Sequence, residues 1–575
     1  MTYDRPAVPA KLTPRSGRIA GFSLGTVALA ALTLGAAAPL QAQSSAGGRS
    51  EIFVGSEFES YLRYLQTLGK SAPAVWSIRG FSPGQLDALA PSDTLHPWAR
   101  RYNFAKSTKT GLVIDFIRPT VGFIANTSYP FGSNDGAVWA GKGLTAWAQA
   151  GLAARFGPFS ATFAPVAFRA QNSEFELMDN GQIGDLKYAD GQFPVEIDKP
   201  QRFGNTPYSR FDFGESTLRV DVVGIGAGIS TASQWWGPTT EFPYILGNNA
   251  GGFPHVFAGT SKPANIGIGT LHGRLVYGQL LQSKYSPVTG RDYFETYLKP
   301  GKVRFMAGGI GTMTIRGIRG LEFGGARFFH AATDSTGFQM SDLKLPLQNL
   351  LKSRIAAEGD TVFGDDRSLL QNQLASVFFR WAPPSSGVEV YGEYGREDFS
   401  SDIRDFMLQP DHSATINLGF RKAWLKGTRI NALRAEIFNY EATASGRTRG
   451  EGLIYLHQPL QQGHTYRGQM LGSNVGAGSG SAQLIAFERF TQSGRMKTFL
   501  SRVTQGEISL RLPAYIDGPP LENPIDVQYS LGGELSRFIG PFDVTGRAVV
   551  TSEANRYFLS DKSNFNIGLM IRQGF

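Results

Sequence analysis

The 575-residue chain contains no cysteine. That excludes disulfides, thiolate-held zinc and cysteine nucleophiles, and it suits a chain that crosses an oxidising compartment before folding. Past the N-terminal segment no run of about 18 consecutive apolar residues occurs, so no sequence there qualifies as a membrane-spanning helix. Enzyme signatures are also missing: there is no G-x-S-x-G, no H-E-x-x-H and no Walker loop. "GIGAGIS" at 224–230 departs from the dinucleotide fingerprint and lies in a strand pattern. His96, His255, His272, His330, His412, His457 and His464 are scattered without ligand spacing and read as surface or lumen polar residues. Acidic residues such as Glu393 and the pair Glu397-Asp398 read as solvated strand ends, since a glycosidase dyad needs two carboxyls at a set separation. The acidic loop "DNGQIGD" at 179–185 does not follow EF-hand spacing. No metal or cofactor is expected. Dense Lys/Arg runs are absent too, so nucleic acid is set aside as a partner.

What is present points to strands. Glycine accounts for 70 residues and aromatics for 12%, a mixture that fits many twisted strands better than layered helices. At the N-terminus, Lys11, Arg15 and Arg18 precede an apolar run from Ile19 to Ala38 and then "PLQAQ". This is the pattern of a secretory signal, with cleavage expected after Ala42. The formal charge of +9 falls to about +6 once residues 1–42 are removed. A mild positive excess favours acidic partners such as uronic-acid glycans or lipopolysaccharide phosphates.

The alternative way to span a membrane is a closed β-barrel. At the C-terminus, "SNFNIGLMIRQGF" places Phe565, Ile567, Leu569, Ile571 and Phe575 on one face. Asn564, Asn566, Gly568 and Arg572 share the other, where an arginine requires a polar lumen. "RFGPF" at 155–159 and "RFIGPF" at 537–542 read as tight turns. Long polar stretches at 172–206, 232–262, 331–370, 397–412, 442–482, 512–525 and 553–563 read as external loops. Short periplasmic turns and long external loops are the asymmetry of an outer-membrane barrel, and the parity returns Phe575 to the periplasmic side. A C-terminal phenylalanine strand of this kind resembles those that outer-membrane barrels present to their assembly machinery. The strand-like segments indicate an even number between about 16 and 20. A lumen of that size is too wide for opposing side chains to fill.

Residues 43–109 differ from the barrel segment, 110–575. In "GSEFESYLRYLQTLGK", Ser56 and Glu59 suggest a capping box and Gly69 a C-terminal stop. Phe58, Tyr61, Leu62, Leu65 and Leu68 form one helical stripe. A second helix is expected to start at Ser82-Pro83. Two amphipathic helices are expected to pack beneath or inside the periplasmic mouth as a partial plug. Residues 339–352, "QMSDLKLPLQNLLK", are read as a loop helix folded over the pore mouth.

The stretch "ASQWWGPTTE" at 232–241 presents two adjacent tryptophans. Its wider context runs from Gly214 to Thr260 and holds Asn248-Asn249-Ala250 downstream. Together with "GLEFGGARFFH" at 320–330, "LASVFFRWAPPSSGVEVYGEYGRED" at 374–398 and "GHTYRGQMLGSNVGAGSGS" at 463–481, it resembles the capsule assembly family typified by the outer-membrane lectin Wzi. The resemblance implies a large single-chain barrel of 18 strands with a small periplasmic helical bundle. It also implies a non-enzymatic role in attaching capsular or extracellular polysaccharide to the cell surface.

Residue chemistry is compatible with that role. Flat aromatic faces cover the C–H patches of a sugar, and Asn side chains match its hydroxyls. Trp235 or Trp236, Tyr244, Asn248 and Asn249 are therefore the candidate polysaccharide-binding residues. One tryptophan of the pair is expected at the membrane interface and the other in the lumen or mouth. The rival readings are a diffusion porin or polysaccharide export channel and, third, an outer-membrane hydrolase.

Overall fold

A computed structural model of the chain describes residues 49–92, 95–104, 111–288, 303–332, 340–347, 371–397, 403–443, 453–457, 460–505 and 525–574. The expected leader, Phe575 and residues 339 and 348–352 of the expected loop helix lie outside them. Eighteen antiparallel strands close into a barrel. In chain order the first half comprises β1 Val113–Asn126, β2 Gly143–Phe156, β3 in two segments (Phe159–Phe163 and Val166–Ala170) and β4 in two segments (Tyr208–Asp212 and Thr217–Val222). It continues with β5 Ile225–Ser230, β6 His255–Thr260, β7 Gly269–Leu281, β8 Val303–Ile315 and β9 Leu321–Ala332. The second half is β10 Gln371–Trp381, β11 Val388–Glu397, β12 Ala414–Lys426, β13 Arg429–Asn439 and β14 Gly480–Thr491. β15 Gly494–Gln505, β16 Asp526–Ile539, β17 Phe542–Arg556 and β18 Ser560–Gln573 complete it. Closure is between β1 and β18, from Thr120 opposite Arg572 to Asn126 opposite Asn566.

Period-2 alternation fixes which side chains meet lipid and which face the lumen. On β18, Phe565, Ile567 and Leu569 are exposed on the outer wall while Asn564 and Asn566 are buried inside. Both Gly-Pro turns are present, joining β2 to β3 and β16 to β17 at the short-turn end. The long segments expected at 215–231, 413–441 and 483–511 are each a hairpin. β6 was not anticipated. At six residues it is too short, and its inward His255 and its glycine blur the alternation.

Of the stretches expected as external loops, 232–262 and 442–482 send chain into the lumen, and two further expectations differ. The connection at 553–563 shortens to residues 557–559, because β17 runs on to Arg556 and β18 restarts at Ser560. Asn555, Tyr557 and Phe558 adopt positive φ, and the Asn555 N–H donates to Asp561 Oδ1 at 3.0 Å. The loop helix is a 3-10 segment, Met340–Leu347, with Pro346 inside it. It lies against the outer wall instead of the mouth: Leu345 packs on the outward residues Phe305, Ala307 and Phe329, and Tyr277 Oη donates to Leu343 O at 2.9 Å. Leu345 finds apolar surface there, while proline denies an α-helix its ladder.

The N-terminal helices are α1 Glu57–Thr67 and α2 Pro83–Leu89; a further short helix, Ile403–Leu408, lies between β11 and β12. Ser56 Oγ accepts from the Glu59 N–H, whereas the Glu59 carboxylate takes the Gly55 N–H. Ser82 and Gln85 make the full reciprocal box. The α1 end is a Schellman pair, Lys70 N–H to Leu65 O at 2.8 Å and Gly69 N–H to Gln66 O at 2.9 Å. The stripe Phe58, Tyr61, Leu62 and Leu65 is buried against Trp98, Tyr102 and Phe104 and against wall residues Ala423, Ile430, Ala432 and Phe490. These helices therefore sit inside the short-turn mouth.

Candidate functional site

The lumen is built by chain that leaves the wall and turns inward. β5 and β6 end early, and residues 231–254 between them fold inside. Trp235 and Trp236 pair there with Ile78 and Arg79 as a two-residue antiparallel bridge, Ile78 opposite Trp236 and Arg79 opposite Trp235. Trp235 is 1% exposed and Trp236 0%. Neither reaches the membrane interface, contrary to the expectation for one of them. A strand inside a lumen has protein on both faces, so alternation sends the two rings to two interior environments. Trp235 carries the Arg79 guanidinium 4.2 Å above its ring and donates Nε1–H to Thr239 Oγ1 at 3.1 Å. Burial lowers the Arg79 pKa to about 10, with Glu59 at 3.3 Å opposing, so it stays charged at neutral pH. Trp236 donates to Gln234 Oε1 at 3.0 Å and packs edge-on against Phe328.

Wall glycines let these rings approach. A Cβ on Gly308 would fall 2.8 Å from the Trp236 ring, and one on Gly395 would collide with the ring of Tyr244. Tyr244 is fully buried, and its carbonyl accepts from Tyr455 Oη at 2.7 Å. Asn248 Nδ2 donates to Asn134 O at 3.2 Å, and Asn249 Nδ2 to Gly472 O at 2.7 Å. The structure thus gathers all five candidate residues in one inward segment. Of these, Trp235 and Asn249 line the open cavity of the lumen.

Two carboxylates on the wall hold this segment in place, Glu436 directly and Glu389 through Arg63, whose Nη2 donates to Pro238 O at 2.6 Å. Glu436 on β13 accepts from the N–H groups of Thr240, Glu241 and Phe242 at 2.8, 3.0 and 2.7 Å, from Thr240 Oγ1 at 2.8 Å and from Tyr391 Oη at 2.5 Å. Glu389 on β11 is surrounded by Arg63 of α1, Arg380 at 3.0 Å and Arg421 at 3.5 Å. Residues 453–457 and 460–479 supply a second inward insert. His464 in it stacks on Tyr455 and hydrogen-bonds Ile245 O through Nε2 at 2.6 Å. Burial pushes its pKa down to about 3, so the ring is neutral. With wall residues of β7–β14 these segments form a continuous apolar core that includes Ile245, Leu246, Met306, Phe378 and Leu471. Each fully buried aromatic contributes about 3 kcal/mol of transfer free energy.

Opposite this core, along β15–β18, the lumen stays open and polar as a cavity of about 540 Å³. Toward its short-turn end, Arg495 bridges Glu488 at 2.8 Å and Glu534 at 3.2 Å, with Lys497 Nζ 3.5 Å from Glu534. Below lie Arg572–Glu57 at 2.8 Å, Arg118–Glu51 at 2.6 Å and Arg118–Asp543 at 3.0 Å, which tie α1 and the N-terminal segment to the wall. Toward the long-loop end the lining is Phe193, Lys199, Gln505, Gln528, Glu553, Arg556 and Tyr557. Arg556 pairs with Glu553 at 2.8 Å and lies 4.2 Å over the Tyr557 ring. Burial raises the Asp135 carboxyl pKa above its usual range at the cavity edge, Arg547 opposing. Sequence reasoning missed the Arg556-Tyr557 pair. The signal was "NRYF" at a strand end, an arginine beside an aromatic. Among the described residues no three His, Asp or Glu side chains converge as a metal site.

Residues 314–532 match the family model described as capsule assembly protein Wzi. Among solved structures the chain is similar to Wzi of Escherichia coli, described as an outer membrane protein involved in group 1 capsule assembly and as a carbohydrate-binding β-barrel. The identity is 15% and the TM-score 0.57, over 90% of this chain and 98% of that one. OccAB3 of Acinetobacter baumannii is more distant, at 9% identity and TM-score 0.36 over 80% of this chain and 99% of its own. OprD of Pseudomonas aeruginosa stands at 8% and 0.37 over 81% and 97%. No curated protein sequence matches the chain. The resemblance to the capsule assembly Wzi family is borne out, by the family match over residues 314–532 and by an eighteen-strand barrel fold shared over nine-tenths of the chain.

Proposed function

We propose that this chain is a non-enzymatic outer-membrane barrel that holds an exported capsular or extracellular polysaccharide at the cell surface. The short-turn end with α1 and α2 faces the periplasm and the long loops face outward. Residues 1–42 serve as a cleaved secretion signal, and β18 with the C-terminal residues of the sequence is presented to the barrel assembly machinery. The observation that carries the reading is the occupied lumen. Two inward segments and α1 fill it, and the polar space that remains opens among residues suited to sugar. Phe193 and Tyr557 offer flat faces, Gln505 and Gln528 offer paired donors and acceptors, and Arg556 with Lys199 suits a uronic acid. Trp235 and Asn249 border the same space, while Trp236, Tyr244 and Asn248 hold the inward segment in place. The Wzi relative, described as carbohydrate-binding, supports the assignment.

The test is binding of the purified, detergent-folded protein to the producing strain's own surface polysaccharide. Saturable binding weakened at least fivefold by Tyr557→Ala or Arg556→Gln, and less by Trp236→Phe, is the expected result. A folded barrel that binds none of that polysaccharide contradicts the reading. The polar cavity along β15–β18 is the one feature that favours a channel instead, and conductance separates the two.

A further inference from the structure

The barrel wall is incomplete on one side. The upper segment of β4, Tyr208–Asp212, pairs with β3, and among the described residues no strand pairs with its other edge. β5 and β6 would continue the wall there, but they end at Ser230 and begin at His255. On the far side β6 pairs with β7 only from His255–Gly278 downward; the Gln279 N–H still donates to Pro254 O at 3.0 Å, which leaves Leu280 and Leu281 beyond the last contact with β6. A bare edge at membrane depth is costly unless something satisfies it.

From inside, the tip of the 465–470 hairpin reaches across. The Arg467 N–H donates to Leu281 O at 2.8 Å on the β7 side, and its guanidinium bonds Asp212 Oδ2 at 3.1 Å on the β4 side. Outside, an apolar groove of about 690 Å³ opens on the same stretch of wall. Leu152, Phe163, Phe213, Leu218, Ile229 and Val256 line it. The 3-10 segment Met340–Leu347 flanks it through Tyr277.

The charge around the notch is mixed: Asp198 is buried at the β7 side, where it accepts from the Ser283 N–H at 2.6 Å, and three guanidiniums, Arg467, Arg210 and Arg169, face it and Asp212. Asp212 serves two guanidiniums, Arg467 and, at 4.0 Å, Arg210. Arg467 keeps 31% of its side chain exposed. Arg169 is exposed on the outward face of β3, opposite Ser209 in the register.

We propose that this notch is a lateral binding site for a phosphorylated, acylated glycolipid of the outer leaflet, that is, lipopolysaccharide. One acyl chain lies in the groove between Phe163, Phe213 and Val256, and a phosphate meets Arg467 and Arg169. The inference rests on the membrane-barrel fold and is independent of glycan binding in the lumen. Lipid surrounds any such barrel, but an apolar groove beneath two incompletely compensated arginines selects for a lipid with an anionic head.

The test is native mass spectrometry of the full-length, delipidated barrel titrated with rough-type lipopolysaccharide. The same lipid stripped of phosphate and phosphatidylethanolamine run in parallel. Heat-modifiable migration checks that each variant is folded. The expected result is one lipopolysaccharide retained at least tenfold more tightly than either control. Arg467→Gln and Arg169→Gln each reduce that preference at least threefold, and Val256→Trp, which fills the groove, removes it. Arg169→Gln alters a surface residue and keeps the test valid if a groove variant misfolds. Equal retention of all three lipids, or unchanged retention in folded Arg169→Gln and Arg467→Gln, would overturn the proposal.

Discussion

The walls β7–β14 and β15–β18 enclose one lumen and treat it oppositely. Apolar inward residues of the first include Val276, Leu280, Met306, Ile310, Phe328, Leu374 and Phe378, in one core with the inserts, beside the buried carboxylates Glu389 and Glu436; Phe499 of β15 and Val549 of β17 also join that core. Inward residues of the second include Lys497, Ser501, Gln528, Ser530, Glu534, Arg547 and Glu553, which face open space. Both faces are equally hidden from lipid, so the difference does not come from the membrane. It comes from what the chain folds back inside. An insert needs an apolar partner, and a passage or binding surface needs a polar one. A lumen too wide to be filled by its own wall side chains is here divided into a core and a cavity.

That division yields graded expectations. The largest effect belongs to Glu389→Gln on the packed side, which leaves Arg63, Arg380 and Arg421 around a neutral group. The expected loss is about 3–5 kcal/mol, read as a lowered unfolding temperature and faster amide exchange in α1. Next is Glu436→Gln, which weakens the acceptor of three backbone N–H groups. About 2 kcal/mol is expected, seen as roughly 30-fold faster exchange confined to residues 240–246. Equal exchange across both inserts would show that Glu436 does not hold the segment.

Third is pH. His464 has its folded pKa depressed to about 3 against an ordinary value of 6.5. The unfolded or detached form therefore binds the proton first. The stability that the neutral ring contributes is complete above pH about 6.5 and is lost progressively as pH falls toward 3. Exchange in 453–457 and 460–479 should accelerate over that window in the wild type and less in His464→Gln. The smallest effect is Lys497→Met on the polar side, where the pair with Glu534 borders the cavity. Less than about 1 kcal/mol is expected. A loss as large as that of Glu389→Gln would erase the distinction between the two walls.

Much of the wall was legible in the sequence because alternation and Gly-Pro turns are local signals. Arg572 on the inward face of β18 already required a polar lumen, although its partner Glu57 lies on α1 and no spacing connects them. The tryptophan pair shows where legibility stops. A strand-like "QWW" after β5 has the same alternation whether it continues the wall or turns inside, and only the early end of β5 decides it. The covering of Trp236 by Gly308 and of Tyr244 by Gly395 is long-range, so glycine richness could be counted but not assigned. The 340–347 segment was misplaced for a related reason. Its leucines predict an apolar surface, and both the mouth and the outer wall offer one.

The proposed polysaccharide-holding role requires that the chain's own segments close the lumen to solutes. Single-channel recording of the purified full-length protein in planar bilayers is the most direct test. A silent barrel at moderate voltage is expected. Steady, large currents from a protein with its N-terminal helices intact would contradict it.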